Sequence, residues 1–306
     1  MTDGLVVSIS RTRDPLKENP DWLASVLRGE RPVRLSRGHR EASLDLDALG
    51  AVVLWTKDPC AWRRHAGLSA TLEALGARGI AVALQLTVTG LGGTPVEPGI
   101  PPWPEVRDTL ADLITRRLLR PAAVKLRYDP VVALRDAGGR VWSNASEDLA
   151  APVLRAFAEL GVTRATASLA QIVEYPRVAR RLRNLGLDGA LLTLDEGRAF
   201  LRRFADLAIA RGYTYSTCVY PPDASSLQEG CLDGRWLNGL LETMGSDRRV
   251  TCQLHNARGH QRPDCRCTFS YDLGYSAGIG HCYDARERWC VYCYSASVSR
   301  GVTEPG

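Results

Sequence analysis

The chain contains no run of about 18 apolar residues, so no membrane-spanning helix is expected. No apolar stretch follows a basic start, so no secretory leader is expected either, and the reading is cytoplasmic. Solenoid repeats and low-complexity tracts are missing. Excess charge is scarce: 39 Lys and Arg against 34 Asp and Glu leave +5. That balance is compatible with an anionic ligand but demands no nucleic acid. No GxGxxG follows the first apolar run, which counts against a dinucleotide-binding sheet. A second CxxC to pair with the one near residue 290 is also missing, which counts against a pair of zinc knuckles. With 306 residues, 45% apolar and 24% charged, the chain suits one large globular domain or two smaller ones.

What the chain does have is a rhythm of short β-branched runs and helical stretches. Candidate strands are residues 5–10, 51–56, 79–88, 122–129, 163–169, 213–220 and 249–254. Candidate helices are 20–29, 61–79, 103–119, 146–161, 193–212 and 233–244. Ser146 with acids close behind predicts a capping box. Gly79, Gly161 and Gly212 predict helix ends. Strands alternating with helices imply βαβ units and a parallel sheet. The expected fold is α/β: a complete or partial TIM-type (β/α) barrel over residues 1–254, with a C-terminal cysteine-rich segment over 255–306 packed on it.

Ligands of such a barrel meet the C-terminal ends of its strands. Those ends carry Ser8, Ser10 and Arg11, then Thr56 and Lys57, then Gln85, Thr87 and Thr89, then Arg127 and Asp129. The alternation of Gln85, Thr87 and Thr89 puts all three on one face. As a set these residues predict a polar ligand cavity; singly, each suits core hydrogen bonding as well. Arg127 and Asp129 suit charge-assisted bonds to a zwitterion, with an internal ion pair as the competing reading. The run Arg177, Arg180, Arg181 and Arg183 reads first as a solvated helix face. Its alternative is a patch for a phosphate, a carboxylate or an electron-donor protein. His255 and His260 read as structural.

Cysteine supplies the sharpest signal. Of nine, five fall late: Cys265, Cys267, Cys282, Cys290 and Cys293. After residue 255 the strand–helix rhythm stops, and the tail is too poor in aliphatics to build its own core. Ligation of a metal centre would order it. In a reducing cytosol, clustered cysteines argue for metal or redox chemistry over disulfides. Cys282, Cys290 and Cys293 have no fourth partner at matching spacing, which suggests an iron–sulfur cluster with one iron open. A zinc site with His281 as fourth ligand is the alternative. Cys218, Cys231, Cys265 and Cys267 form a second set of four, suited to an auxiliary 4Fe–4S cluster, to zinc, or to no metal. Cys60 and Cys252 are spares, with Cys252 expected in the core.

The segments SISRTRDP (8–15), LWTKDP (54–59), LTVTGLGGTPVEPGIP (86–101), LRYDPV (126–131), CLDGRWL (231–237), QRPDCRCTFSYDLGYS (261–276) and CVYCYS (290–295) occur in this order. Together they resemble an uncharacterised bacterial family, a domain of unknown function, whose C-terminal cysteine cluster is similar to the N-terminal cluster of radical SAM enzymes. One departure stands out. The family spaces its last cysteines C-x3-C-x2-C, whereas this chain has C-x7-C-x2-C.

The resemblance implies that Cys282, Cys290 and Cys293 hold a 4Fe–4S cluster whose open iron binds S-adenosylmethionine (SAM). One electron, from a donor such as flavodoxin or ferredoxin, would split a carbon–sulfur bond of SAM. The resulting 5′-deoxyadenosyl radical would take hydrogen from a small-molecule substrate. Ser10, Arg11, Thr56, Lys57, Gln85, Thr87, Arg127, Asp129 and Tyr292 would contact SAM or substrate. Tyr292 and Tyr294 also read as plain core aromatics. Two alternatives stay open: cleavage of a different carbon–sulfur bond, with aminocarboxypropyl transfer or ring closure on SAM, and a non-catalytic zinc-stabilised barrel that binds a partner.

Overall fold

A computed structural model of the chain describes residues 3–35, 40–170, 172, 174–189, 191–218, 229–254, 265–280, 282 and 290–295. Seven strands form one sheet: β1 (Leu5–Ile9), β2 (Leu49–Thr56), β3 (Ala81–Thr87), β4 (Val124–Val131), β5 (Arg164–Leu169), β6 (Thr214–Thr217) and β7 (Tyr271–Asp272). Their order across the sheet is β6-β5-β4-β3-β2-β1-β7, and every pairing is parallel. Parallel neighbours need crossovers, and helices fill them. α1 (Pro15–Glu18) and α2 (Pro20–Leu27) precede β2. α3 (Cys60–Arg64) and α4 (Ala66–Ala77) precede β3. α5 (Trp103–Thr115) leads to β4 and α6 (Glu147–Glu159) to β5. α7 (Pro176–Asn184) and α8 (Leu194–Ile209) lead to β6, and α9 (Gly234–Thr243) follows it.

The first six strands fall where their apolar runs lie. A parallel strand covered on both faces needs a near-continuous apolar run, and β2 is buried at all but one of its positions. Outside the sheet, Phe204 of α8 stacks on Tyr128 of β4 at 4.9 Å. The Tyr128 hydroxyl is satisfied by donating to the Asn144 carbonyl at 2.7 Å. Gly79, Gly161 and Gly212 do follow helices, at φ of 72°, 82° and 80°, the left-handed conformation that a β-carbon disfavours.

Several expectations are corrected. Among the described residues the sheet does not close into a ring: β6 and β7 are its edges and do not pair. The expected strand 249–254 makes only isolated bridges, Val250 to Gly4 and Leu254 to Thr268. Its ladder groups are engaged elsewhere, since Asn238 of α9 bonds both the Val250 N–H at 2.8 Å and its carbonyl at 3.0 Å. The helix expected over 61–79 breaks at His65, whose Nδ1 instead accepts from the Leu68 N–H at 2.9 Å and caps α4. Ser146 makes no side-chain cap bond; its third helical residue is Leu149, which cannot complete a box. The box forms at Thr193 with Glu196. Residues 219 and 220 of the expected sixth strand lie outside the described residues.

Candidate functional site

A cavity of about 460 Å³ opens at the C-terminal ends of the strands. Ser10 follows β1, Thr56 ends β2, Thr87 ends β3, Asp129 lies late in β4, Leu169 ends β5 and Cys218 follows β6, and all six line it. Crevices beyond the carboxyl ends of parallel strands are where α/β sheets bind ligands. All seven cysteines of the two predicted sets line this one cavity. All nine cysteines of the chain are free thiols. Among the described residues, no group of three or more His, Cys, Asp or Glu side chains is assembled to hold a metal ion.

The thiols of Cys218, Cys231, Cys267 and Cys265 are neighbours in that order, each acting on the proton affinity of the next. Contacts with the backbone position Cys231 and Cys267. Gln85 donates to the Cys231 carbonyl at 2.5 Å and Lys125 to the Gly230 carbonyl at 3.1 Å. Gly230 lies against Cys267 so closely that an added β-carbon would overlap the Cys267 backbone. The glycine is what lets the two cysteine-bearing segments touch. The Cys265 thiol, hydrogen-bonded by Cys267, is lowered to about 7. Cys218 is raised, first by its bond with Cys231 and then by burial. Arg127 faces Cys231 and Cys218, and Arg11 faces Cys265 and Cys267.

Cys282, Cys290 and Cys293 line the other part of the cavity and interact electrostatically with one another. Burial pushes the Cys282 thiol up to about 12 and Cys290 up as well. The loop between Cys290 and Cys293 is held from three sides. Its Val291 N–H donates to the Val96 carbonyl at 3.0 Å. Arg181 of α7 donates to the carbonyls of Val291, at 2.8 Å, and Cys293. The Tyr292 hydroxyl donates to Glu97, a carboxylate 1% exposed that also accepts from Lys57 at 2.6 Å and Thr89 at 2.7 Å. Burial pulls the Lys57 ammonium down, but Glu97, Cys290 and Asp129 outweigh it and its affinity for the proton is raised.

Trp55 also lines the cavity. The Arg127 guanidinium lies 4.7 Å from its ring centroid and Arg11 lies 5.9 Å away. Arg127 pairs with Asp129, which also accepts from the Ser168 hydroxyl. Among the described residues, the buried Nη1 of Arg127 and the buried hydroxyls of Thr166 and Ser216 have no hydrogen-bond partner. These residues form one row across three strands, Arg127 beside Thr166 and Thr166 beside Ser216. Tyr175 and Tyr294 stack at 5.5 Å along the cavity wall. Asp272 of β7 ties the tail to the end of β1, accepting from Ser8 at 3.2 Å, Ser10 at 2.9 Å and the Arg11 N–H at 3.0 Å.

Of the nine predicted ligand-binding side chains, eight line the cavity: Ser10, Arg11, Thr56, Lys57, Thr87, Arg127, Asp129 and Tyr292. Gln85 does not; it is committed to Cys231. Thr56 is also engaged within the protein, donating to Asp14 at 2.7 Å. Cys60 is buried against Thr109 at 3.3 Å, away from the cavity. Cys252 is exposed, not core, because the strand that would have buried it does not form. His255, His260 and His281 lie outside the described residues.

The sequence reading missed Glu97, Asp14, Thr166, Ser216 and the role of Arg181. Period-two alternation in β5 and β6, as in β3, was the available signal for the two hydroxyls.

The molecule is thus an α/β protein whose parallel sheet carries a cysteine-lined cavity at its carboxyl edge. The chain belongs to the family described as a domain of unknown function, DUF1848, whose model matches residues 6–295. No curated protein matches it. Among the described residues no helix is long and apolar enough to cross a membrane.

Proposed function

We propose that this protein is a radical SAM enzyme of the cytoplasm, built on a partial (β/α) barrel, that acts on a small molecule. Strands β1 to β6 follow one another across the sheet with β7 beside β1, an order that supports the reading of a barrel open along one seam. The observation that carries the functional reading is the three-thiol set, Cys282, Cys290 and Cys293, facing a cavity that an organic ligand can enter. The donor set fits. Three thiols leave one iron of a cuboidal 4Fe–4S cluster without a protein ligand. Thiols that share a cluster bind different irons, so they need not converge as ligands of a single ion do. Cys218, Cys231, Cys265 and Cys267 would hold a second, fully ligated cluster.

When bound and reduced, the first cluster would supply the electron that splits a carbon–sulfur bond of SAM. The chain's own residues do the rest. Glu97, Tyr292 and Arg181 fix the Cys290–Cys293 loop. Arg127, Asp129 and Ser168 present a charged edge to a zwitterionic or hydroxylated ligand. Ile100, Leu169 and Val178 give the cavity an apolar wall that excludes water.

Anaerobic reconstitution tests the reading. Iron and sulfide are counted, dithionite and SAM are added, and the products are separated. About eight iron per chain with 5′-deoxyadenosine is the expected result. A different SAM fragment would replace the radical step with another bond cleavage. Zinc without iron, and intact SAM, would reject the proposal.

A further inference from the structure

α7 packs against the Cys290–Cys293 loop. Its nine residues include four arginines and no acid. Its buried side chains, Val178 and Leu182, pack in one apolar group with Val291, Tyr292 and Cys290. Arg181 holds the loop's carbonyls. The outer face presents Arg180 and Arg183 to solvent, and Leu185, just beyond the helix, is 53% exposed. Beside it runs the hairpin of Ala133–Arg135 and Val141–Ser143, joined through backbone bonds between Arg135 and Asp188 at 2.9 and 2.8 Å. Arg135 and Arg140 of that hairpin are exposed too. Asp136, Glu174 and Asp188 are the acids on these segments. A helix with its side chains is about 10–12 Å across, so one helix separates this basic face from the cysteine loop.

We propose that this face docks an acidic electron-carrier protein bearing a flavin or iron–sulfur centre. The inference rests on the function proposed above, which needs an electron from outside the chain. In the transfer the carrier's centre is oxidised by one electron and the cluster held by Cys282, Cys290 and Cys293 is reduced by one; no bond or proton moves. An exposed leucine among arginines matches the apolar centre and charged rim of a protein interface. Complementary charge steers encounter with an acidic partner. A nucleic acid or an anionic membrane would meet the same charges, but neither delivers an electron.

The test uses the full reconstituted chain, an acidic flavodoxin as probe, and the double variant Arg180→Glu, Arg183→Glu. Binding is measured by calorimetry at low and physiological salt, with iron content and dithionite-driven SAM cleavage measured in parallel. The expected result is a Kd raised about tenfold or more, with salt sensitivity reduced and with iron and dithionite-driven cleavage unchanged. An unchanged Kd beside intact dithionite chemistry overturns the docking face alone. So does loss of binding to single-stranded RNA or phosphatidylserine vesicles while flavodoxin binding persists. Failure of the wild type to hold iron or cleave SAM with dithionite removes the underlying function and this inference with it.

Discussion

Glu97→Leu should be among the most damaging single substitutions outside the hydrophobic core. Its carboxylate is 1% exposed and its partner Lys57 is 19% exposed. Removing one member of a buried pair strands the other, at a cost of about 3–5 kcal/mol. Lys57 would keep the Tyr292 hydroxyl as an acceptor at 2.9 Å, which places the ammonium's share near the lower limit. Thr89 and Tyr292 would each lose their acceptor, at about 1 kcal/mol apiece. The expected total is about 5 kcal/mol. Lys57→Met alone should cost less, about 2–3 kcal/mol, because Glu97 retains two hydroxyl donors. With Glu97→Leu and Lys57→Met combined, the loss should fall short of the sum of the singles by about 2 kcal/mol. The assay is urea unfolding of the metal-free, reduced protein, followed by tryptophan fluorescence and circular dichroism, whose transitions should coincide. Single effects that add to within about 0.5 kcal/mol would refute the claim that one buried network joins the end of β2, the loop after β3 and the cysteine loop.

Gly230→Ala should destabilise by about 1–3 kcal/mol, since the new β-carbon overlaps the Cys267 backbone; after reconstitution it should lower iron at the four-thiol group and leave the other site loaded. Cys290→Ala should keep about four iron per chain yet abolish SAM cleavage, and loss of all iron would mean the two thiol groups are not independent sites. Asp14 gives a pH signature in the metal-free protein. Burial raises its carboxyl from 3.8 to about 7, so between those values the folded state binds more protons than the unfolded one. Stability from this group is therefore present below pH 4 and lost as pH rises toward 7. Asp14→Asn should flatten that part of the unfolding free energy against pH, and an unchanged slope would remove Asp14 as its source.

Six strands of the sheet were legible because each lies in a short stretch rich in β-branched or apolar residues, set in a regular alternation with helical stretches. β7 was not. Tyr271 and Asp272 form no run, and their pairing depends on Val7 and Ser8 at the other end of the chain. Residues 249–254 had a strand's composition, yet Asn238 took their hydrogen bonds, a contact no local pattern discloses. The seven cavity cysteines were legible by residue type, because thiols have few uses in such density. Glu97 was hidden inside GGTPVEPG, where turn residues dominate and one acid reads as solvated. Only tertiary structure brings Lys57, Thr89 and Tyr292 to it. Arg181 looked like one of four equivalent arginines, and its distinction is its place on the helix, facing inward beside Leu182.

The bond between Ser8 and Asp272 spans 264 positions of the sequence. Closing so long a loop carries an entropic cost that must be met before the contact yields anything, which makes such pairings slow to form. β1 is synthesised well before its outer neighbour β7, which the chain reaches only after β2 to β6. Cys265, Cys267, Cys282, Cys290 and Cys293 emerge in that same late stretch. Of the seven cavity thiols only Cys218 and Cys231 precede residue 265, so neither set of thiols is complete until all six earlier strands have been synthesised.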